Sequence, residues 1–448
     1  WLKLLLAQMV LMLSVVTKAM TINAAICLIV LGVVSGRNIA RAALNYTDVF
    51  VNGEATSLLP HGYTYGFHIP ALVTTPEQNL LAFAQGYVRR NGRIITSNLN
   101  DGNDGWIDLV SKRSEDGGKT WGPLTLVLRN STAGGEAHAC QQPAPIVDHI
   151  KKSIILMSSL DNWHVLLQTS FDDGRTFSSP RNLDSSLRLR GWGLVFTGLP
   201  GGIQLVDPSP KAGRLILCAS AYWSGGEMVN GKILKAGDPS SRYSYAITSD
   251  DHGATWQLGS IILPLHTTEC SVAQRFDLDG SVFIYSRVWD KTCAGCEGYG
   301  RGIAESKDGG DTWSKATLRG LTDTTPDVEG SFTSVQSENT TCFYVSAPRS
   351  KSRQNLTVQY SCGPTAPDVW SEQVVVDSGS SSYSAMTLHN GKLLDLWAYT
   401  NDTTKAPIDC LGFFGKKHQC AGGIRIKEVH VNLSATAMAP QPRHILHI

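Results

Sequence analysis

The chain has little charge and no excess of either sign. Charged residues make up 17% of its 448 residues, and the formal net charge at pH 7 is +1. A protein without a strongly basic or acidic surface lacks the long-range field that concentrates nucleic acids or anionic membranes. The composition therefore argues against a nucleic-acid-binding function, and we expect no nucleic-acid partner.

Helical periodicity is also scarce. After residue 41, no stretch keeps apolar residues at positions i, i+3, i+4 and i+7 for long, so few helices are predicted. Short apolar runs alternate instead with clusters of Gly, Asp, Asn and Ser, as at 80–84, 153–157, 214–218 and 281–285. With 43 glycines and 11 tryptophans, the composition favours a turn-rich, all-β protein.

The first 41 residues differ from the rest. Two apolar runs, Leu4–Val16 and Ile22–Val34, are separated and flanked by basic residues. The second run is shorter than the roughly 20 residues of a membrane span, and Ser35 and Gly36 after it are small enough for a cleavage site. We interpret 1–41 as a secretory signal peptide in preference to a retained signal anchor.

The remainder resembles an exported protein. Sequons of the form N-x-S/T occur six times, at Asn45, Asn130, Asn339, Asn355, Asn401 and Asn432. Together with the apolar leader, they predict a secreted or lumenal location, such as the endomembrane system or a lysosome-like compartment. Membrane attachment is expected only if the N-terminal segment stays uncleaved.

Ten cysteines agree with that route. The spacings of Cys342/Cys362 and Cys410/Cys420 suit bridges between adjacent strands or within one loop. Cys293-Ala-Gly-Cys296 has the spacing of a zinc half-site or a redox pair, but no second Cys/His pair stands at a matching spacing. We favour a loop disulfide there and predict neither a metal nor a cofactor.

One octapeptide pattern, S-x-D-x-G-x-T-W, recurs along the chain. Its copies begin at Ser114, Ser170, Ser249 and Ser306, with Phe177 closing the second copy and a degenerate fifth copy at 361–370. The Asp side chain can accept hydrogen bonds from its own turn, and Gly tolerates positive φ there. The pattern therefore predicts a repeated hairpin turn with a structural role.

The spacing of the repeats predicts the architecture. The copies begin 56, 79, 57 and 55 residues apart, if the degenerate one is counted, and a unit of about 50 residues with four short strands is a propeller blade. We therefore predict an all-β, six-bladed β-propeller over residues 45–436, with a C-terminal tail at 437–448. The longest interval is explained by a long loop at 222–242.

The repeats, together with Phe67–Leu72, Leu80–Ala84 and Gly422–Lys427, resemble the sialidase (neuraminidase) family, whose members carry Asp-box (BNR) repeats. The resemblance spans about 61–433. It implies a six-bladed propeller that removes terminal sialic acid from glycans with retention at the anomeric carbon and without a metal. It also implies partners that are sialylated glycoproteins, glycolipids or oligosaccharides.

The same resemblance assigns the site residues. Tyr383 in G-S-S-S-Y-S matches the family's nucleophile, and Glu269 in T-E-C-S-V matches the base that activates it. Because sialic acid carries a carboxylate beside its anomeric carbon, a neutral tyrosine avoids the repulsion that a carboxylate nucleophile would meet. Arg287 and Arg353 match two of three arginines that bind the substrate carboxylate; Arg349 is the alternative to Arg353.

The chain departs from the family at the first arginine. His68 stands in its place, Ala398 stands where the glutamate that supports it is expected, and Gln85 replaces another glutamate. A neutral His68 would bind the substrate carboxylate with one hydrogen bond, so binding is expected to be roughly ten-fold or more weaker. Below about pH 6.5 a charged His68 would recover part of the loss.

The acid that protonates the leaving group is less sharply defined. The family position falls near Asn103, between Asp101 and Asp104, and we favour Asp104 as the acid/base. The leading prediction is an exo-α-sialidase-like glycoside hydrolase. The alternatives are a hydrolase for another acidic sugar and a propeller that binds glycans without cleaving them, both suggested by His68.

Overall fold

The computed structural model describes residues 46–90, 106–129, 138–189, 192–223, 242–262, 267–288, 300–317, 319, 321, 328–337, 340–350, 353–399 and 422–430, and the short strands at 93–94, 228–229 and 232–233. The predicted signal segment 1–41 and tail 437–448 lie outside these residues. Within the described part, no helix is long and apolar enough to span a membrane.

The described residues form six principal sheets, numbered here as blades 1 to 6. Blade 1 contains β2 (Tyr63–Thr74), β3 (Leu80–Arg90), β4 (Arg93–Ile94), β5 (Ile107–Ser114) and β6 (Thr125–Leu128). Blade 2 contains β7 (Cys140–Asp148), β8 (Ser153–Leu160), β9 (His164–Ser170) and β10 (Arg181–Asn182), followed by the one-turn helix α1 (Asp184–Leu187). Blade 3 contains β11 (Trp192–Thr197), β12 (Ile203–Gln204), β13 (Leu215–Trp223), β16 (Arg242–Ser249) and β17 (Gln257–Ile261).

The other half of the ring is built in the same way. Blade 4 contains β18 (Thr267–Gln274), β19 (Val282–Val288) and β20 (Gly300–Ser306). Blade 5 contains β21 (Ser331–Ser337), β22 (Thr340–Pro348), β23 (Gln354–Cys362) and β24 (Val374–Ser380). Blade 6 contains β25 (Ser384–His389), β26 (Lys392–Tyr399), β27 (Gly423–Glu428) and, as its outermost strand, β1 (Thr47–Phe50). A separate hairpin, β14 (Met228–Val229) and β15 (Lys232–Ile233), lies in the predicted long loop of blade 3.

The blades close into a ring. Neighbouring blades contact each other through one strand from each: β2 with β7, β7 with β13, β13 with β18, β18 with β21, β21 with β25, and β25 with β2. The first strand of the described residues, β1, completes blade 6, since Thr47 pairs with Ile426 in an antiparallel register. The six-bladed, all-β prediction is confirmed.

The apolar core is divided among the blade interfaces. Six buried clusters each combine side chains from two adjacent blades; for example, Phe83 of blade 1 packs with Leu156 of blade 2. Because both faces of a blade are covered by neighbours, its strands are apolar along most of their length instead of alternating. This explains the short apolar runs in the sequence.

The repeated octapeptide forms the turn after the third strand of a blade. In its first copy, Asp116 accepts the backbone N–H groups of Lys119 and Thr120 at 3.0 and 2.9 Å and the Thr120 hydroxyl at 2.6 Å. These bonds, led by that of the Thr120 side chain, lower the pKa of Asp116 to about 2. Gly118 has φ +88°, a conformation that other residues rarely adopt, and the three other copies show the same arrangement. The turn is structural, as its pattern predicted.

Two disulfides hold the described part. Cys342 pairs with Cys362 across adjacent strands β22 and β23, which settles one of the two arrangements expected for them. Cys218 pairs with Cys270 and joins blade 3 to blade 4, a bridge that the sequence did not suggest. Cys140 is buried and unpaired. The Cys293/Cys296 and Cys410/Cys420 pairs lie outside the described residues.

Candidate active site

The predicted site residues meet at one end of the propeller. Tyr383 immediately precedes β25, Glu269 lies near the start of β18, and Arg353 immediately precedes β23. Arg287 lies near the end of β19, which runs antiparallel to β18, so it reaches the same end. The Asp-box turns follow the ends of third strands and therefore lie at the opposite end, away from these residues.

Tyr383 and Glu269 form a direct hydrogen bond. The Tyr383 hydroxyl donates to Glu269 Oε1 at 2.7 Å, although the two residues are 114 positions apart. Tyr383 is buried, and only 11% of the Glu269 side chain is exposed. Burial, followed by the negative charge of Glu269, raises the pKa of Tyr383. The tyrosine is therefore protonated at neutral pH, with a carboxylate placed to receive its proton.

Arg287 anchors the other oxygen of the same carboxylate. Its Nη1 donates to Glu269 Oε2 in an ion pair. Burial, the largest single effect, lowers the pKa of Arg287, but Glu269, Tyr383 and Tyr222 together outweigh burial and the net shift is upward. The guanidinium stays charged inside the site and fixes the orientation of Glu269 towards Tyr383.

Arg353 and His68 meet at a serine that precedes the tyrosine. Arg353 Nη1 donates to Ser382 Oγ at 3.3 Å, and His68 Nε2 lies 3.3 Å from the same oxygen. The Arg353 guanidinium carbon lies 5.6 Å from the centre of the Tyr383 ring, and the His68 ring meets that ring edge-on at 5.0 Å. Both residues thus border the predicted nucleophile. Arg349, the alternative to Arg353, is buried immediately after β22.

The expected charge on His68 is corrected by the structure. Burial, and then the positive charge of Arg353, lowers the pKa of His68 to about 3. In the unliganded site His68 is therefore neutral across the physiological range, and a charge on it below pH 6.5 would have to be induced by the bound carboxylate. The sequence could not reveal this, since the shift comes from burial in the folded chain and from a neighbour 285 positions away.

Ala398 keeps a backbone role although its side chain is small. Its N–H donates to the Tyr383 carbonyl at 3.0 Å, and its carbonyl accepts the Ser382 N–H at 2.8 Å. Its methyl group packs in the core between blades 6 and 1. Gln85 is fully buried directly across from His68 and accepts the Tyr87 hydroxyl at 2.8 Å. Neither position supplies a charge.

Asp104, together with Asp101 and Asn103, lies outside the described residues, so its role as the acid remains a prediction. Across the described residues no group of His, Cys, Asp and Glu side chains is arranged to hold a metal ion. Two site residues escaped the sequence reasoning. Ser382 lies within the G-S-S-S-Y-S segment and could have been noticed as the neighbour of Tyr383. Glu329, a buried glutamate just before β21, belongs to no motif that could have marked it.

The fold and this arrangement define the class of Asp-box propellers that have a tyrosine, a glutamate and arginines at one end of the ring. The chain belongs to the family of BNR repeat-like domains, whose family model matches residues 70–396. The predicted resemblance to sialidases is confirmed.

Similar proteins are sialidases. The chain is 28% identical to Sialidase-4 of Mus musculus over 245 residues, which cover 50% of this chain and 45% of that protein. It is 27% identical to a sialidase of Micromonospora viridifaciens over 378 residues, 76% of this chain and 50% of that protein. The chain thus spans about half the length of these curated relatives. Among solved structures, a Hadza microbial sialidase superposes with a TM-score of 0.61 at 21% identity, covering 82% of this chain and 66% of that one.

Proposed function

We propose that the protein is an exo-α-sialidase-like glycoside hydrolase that removes terminal sialic acid from glycoproteins, glycolipids or oligosaccharides. Its family and its sialidase relatives support a glycosidase of this general kind. The observation that carries the proposal is the 2.7 Å hydrogen bond from Tyr383 to Glu269, because it joins a nucleophile to a base at the predicted centre.

In the proposed reaction, Tyr383 Oη forms a bond to the anomeric carbon while the bond to the leaving oxygen breaks. The phenol proton passes to Glu269, and Asp104 donates a proton to the leaving oxygen. Water then hydrolyses the tyrosyl intermediate with the acid and base roles reversed, which retains the anomeric configuration. The raised pKa of Tyr383 supports proton transfer during attack, since a free phenolate would be rare beforehand.

Arg287, Arg353 and His68 are the proposed binding groups for the substrate carboxylate. Arg287 and Arg353 are buried or half-buried guanidinium groups beside the tyrosine, and a buried cation attracts a carboxylate more strongly than an exposed one. His68, neutral in the free site, would add one hydrogen bond.

A second candidate is a propeller that binds acidic glycans without cleaving them, and a third is a hydrolase for another acidic sugar. The neutral His68 and the apolar Ala398 favour both, because together they remove one cation and its carboxylate partner from the expected site.

Release of a fluorogenic sialoside by the purified protein, between about pH 4 and 8, tests the first proposal. We expect Tyr383→Phe and Glu269→Ala each to reduce kcat/KM by at least about 100-fold, since each removes a group that acts in the transition state. Exposed Glu372→Gln is the control. Wild-type release no faster than that of Tyr383→Phe at every pH would refute hydrolysis. Binding of a sialic acid analogue without release would then support the second candidate, and faster cleavage of a different acidic glycoside the third.

We further propose a secreted or lumenal location. The two disulfides of the described part support it, because such bonds persist mainly in oxidising compartments.

A further inference from the structure

A second carboxyl group is buried behind the Tyr383–Glu269 pair. Glu329 lies just before β21 and is only 1% exposed. Its Oε1 atom is buried and has no hydrogen-bond partner among the described residues. A carboxylate in this condition is costly to bury, so an unused acceptor here requires a physical explanation.

The backbone around Glu329 places it between the two halves of the site. The next residue, Gly330, accepts a hydrogen bond from the Ser271 hydroxyl of β18 at 3.4 Å, two positions from Glu269. The preceding residue, Val328, packs in one buried cluster with Tyr383. Glu329 is thus held beside both catalytic candidates through its chain neighbours.

Two arginines lie on the blade face that Glu329 meets. Arg287 and Arg301 are directly paired across β19 and β20, so their side chains leave the sheet on the same side. Arg301 is 1% exposed, and its Nε and Nη2 atoms have no hydrogen-bond partner within the described ranges. Tyr285, two positions before Arg287, stacks on Phe332 of β21 at 5.5 Å, which shows that this face packs against blade 5.

The charged groups around Glu329 come from four strands. Burial, and then Glu269 on β18, raise the pKa of Glu329, while Arg301 on β20 and Arg287 on β19 lower it; Asp395 on β26 raises it further. The net result is a pKa well above the usual range for a glutamate. Burial and two acidic neighbours therefore outweigh the two arginines.

We propose that Glu329 is a positioning residue, a second buried carboxyl that must remain uncharged for Arg287 to stay paired with Glu269 and for the site to accept an anionic sugar. When Glu329 loses its proton, its carboxylate competes with Glu269 for Arg287 and repels the incoming carboxylate. Ligand binding then weakens on the alkaline side. The inference rests on the proposed function only in that the ligand is a sialic acid.

The first test measures the Kd of an unsaturated sialic acid analogue by calorimetry between about pH 5 and 9. In the wild type, the Kd is expected to increase once the pH exceeds the pKa of Glu329. The increase should be up to about tenfold for each pH unit, because binding is linked to one proton. In Glu329→Gln, which cannot ionise, that rise should disappear, whereas the exposed control Glu372→Gln should retain it. Superimposable wild-type and Glu329→Gln curves would overturn the proposal. Binding needs no acid/base, so Asp104 does not confound the result.

A second test does not depend on sialic acid. The infrared band of protonated carboxyl groups near neutral pH should lose one group's intensity in Glu329→Gln. It should lose another in Asp395→Asn, since burial raises the pKa of Asp395 to about 8. If the analogue fails to bind at any pH, the proposed function fails, yet this band still decides the state of Glu329. An unchanged spectrum in Glu329→Gln overturns the inference. If Glu329→Gln does not fold, the spectrum of Asp395→Asn decides. Loss of the whole protonated-carboxyl band in Asp395→Asn would overturn the inference, and retention of part of that band would support it.

Discussion

Placing an arginine at position 68 is the most direct test of the proposed anion-binding site. His68 and Arg353 reach the same Ser382 oxygen, each at 3.3 Å, so their contacting nitrogens are no more than about 7 Å apart. Two like charges at that distance repel by about 2 kcal/mol at an effective dielectric constant of about 20. His68→Arg should therefore lower the free energy of unfolding of the unliganded protein by about that amount, because Ala398 offers no carboxylate to offset the new charge.

The bound state should respond in the opposite direction. A hydrogen bond to a charged partner contributes about 1.5–3 kcal/mol, so a charged fork at position 68 should tighten carboxylate binding by roughly 10- to 100-fold. The ligand's negative charge would also relieve the repulsion between the two arginines. Lower stability together with higher affinity is the signature expected of this substitution.

Calorimetry with an unsaturated sialic acid analogue and urea unfolding measure the two quantities. His68→Gln is the matched control, since it keeps a neutral hydrogen-bonding group and should change the Kd less than arginine does. Between about pH 5 and 7 the wild-type Kd should show no dependence on His68, whose pKa of about 3 leaves it neutral throughout that range. Unchanged affinity in His68→Arg would mean that the side chain does not face the ligand. A steep acid-side gain in wild-type affinity that His68→Gln abolishes would contradict this prediction, because it would mean that His68 is charged when the ligand is bound.

Two further predictions concern the scaffold and the route of the protein. Asp173 is 4% exposed and ion-paired with Arg113 across the interface of blades 1 and 2, so Asp173→Asn should cost about 3 kcal/mol in urea unfolding, against about 1 kcal/mol for Asp116→Asn at an exposed turn. Equal losses of unfolding free energy in the two variants would contradict this prediction. Because both carboxyl groups have lowered pKa values in the folded protein, the difference in stability between the two variants should shrink as the pH falls below about 4. Expression through a eukaryotic secretory pathway should yield a glycoprotein in which Asn355 is unmodified, because it is half-buried with φ +60° beside Arg353. Mass spectrometry of glycopeptides measures the occupancy of each sequon. Glycosylation of Asn355 would contradict the prediction for that residue, and a wholly unglycosylated product would contradict the predicted secretory route.

The fold could be predicted because its information is local and repeated. The hydrogen bonds that the side chain of the repeated Asp accepts fall within one octapeptide, so the pattern is visible without knowledge of the ring. The closure of the ring is not local. Thr47 pairs with Ile426 from the far end of the described chain, and Cys218 forms a disulfide with Cys270 because blades 3 and 4 are neighbours. Neither pairing could be predicted from the sequence around the residues involved.

The same distinction between local and long-range information applies to the site. Tyr383 and Glu269 could be identified from short segments, and the structure brings them into contact. The charge state of His68 could not be predicted, because it depends on burial and on Arg353. Glu329 was missed for a related reason: its importance depends on Arg287 and Arg301 across a blade interface, not on its own segment.

The absence of the family's first arginine and its glutamate is compatible with the proposed role of Tyr383, because Ala398 hydrogen-bonds the Tyr383 segment through its backbone. Its N–H donates to the carbonyl of Tyr383 and its carbonyl accepts the N–H of Ser382, backbone contacts that do not depend on the side chain at 398 unless it is proline. A glutamate at 398 could therefore be lost without displacing the tyrosine. Glu269 is held separately, by Arg287 on a different blade. The proposed nucleophile and base are thus held by different contacts from the proposed first anion-binding position. We therefore expect His68 and Ala398 to weaken binding of a substrate carboxylate more than they slow the chemical step.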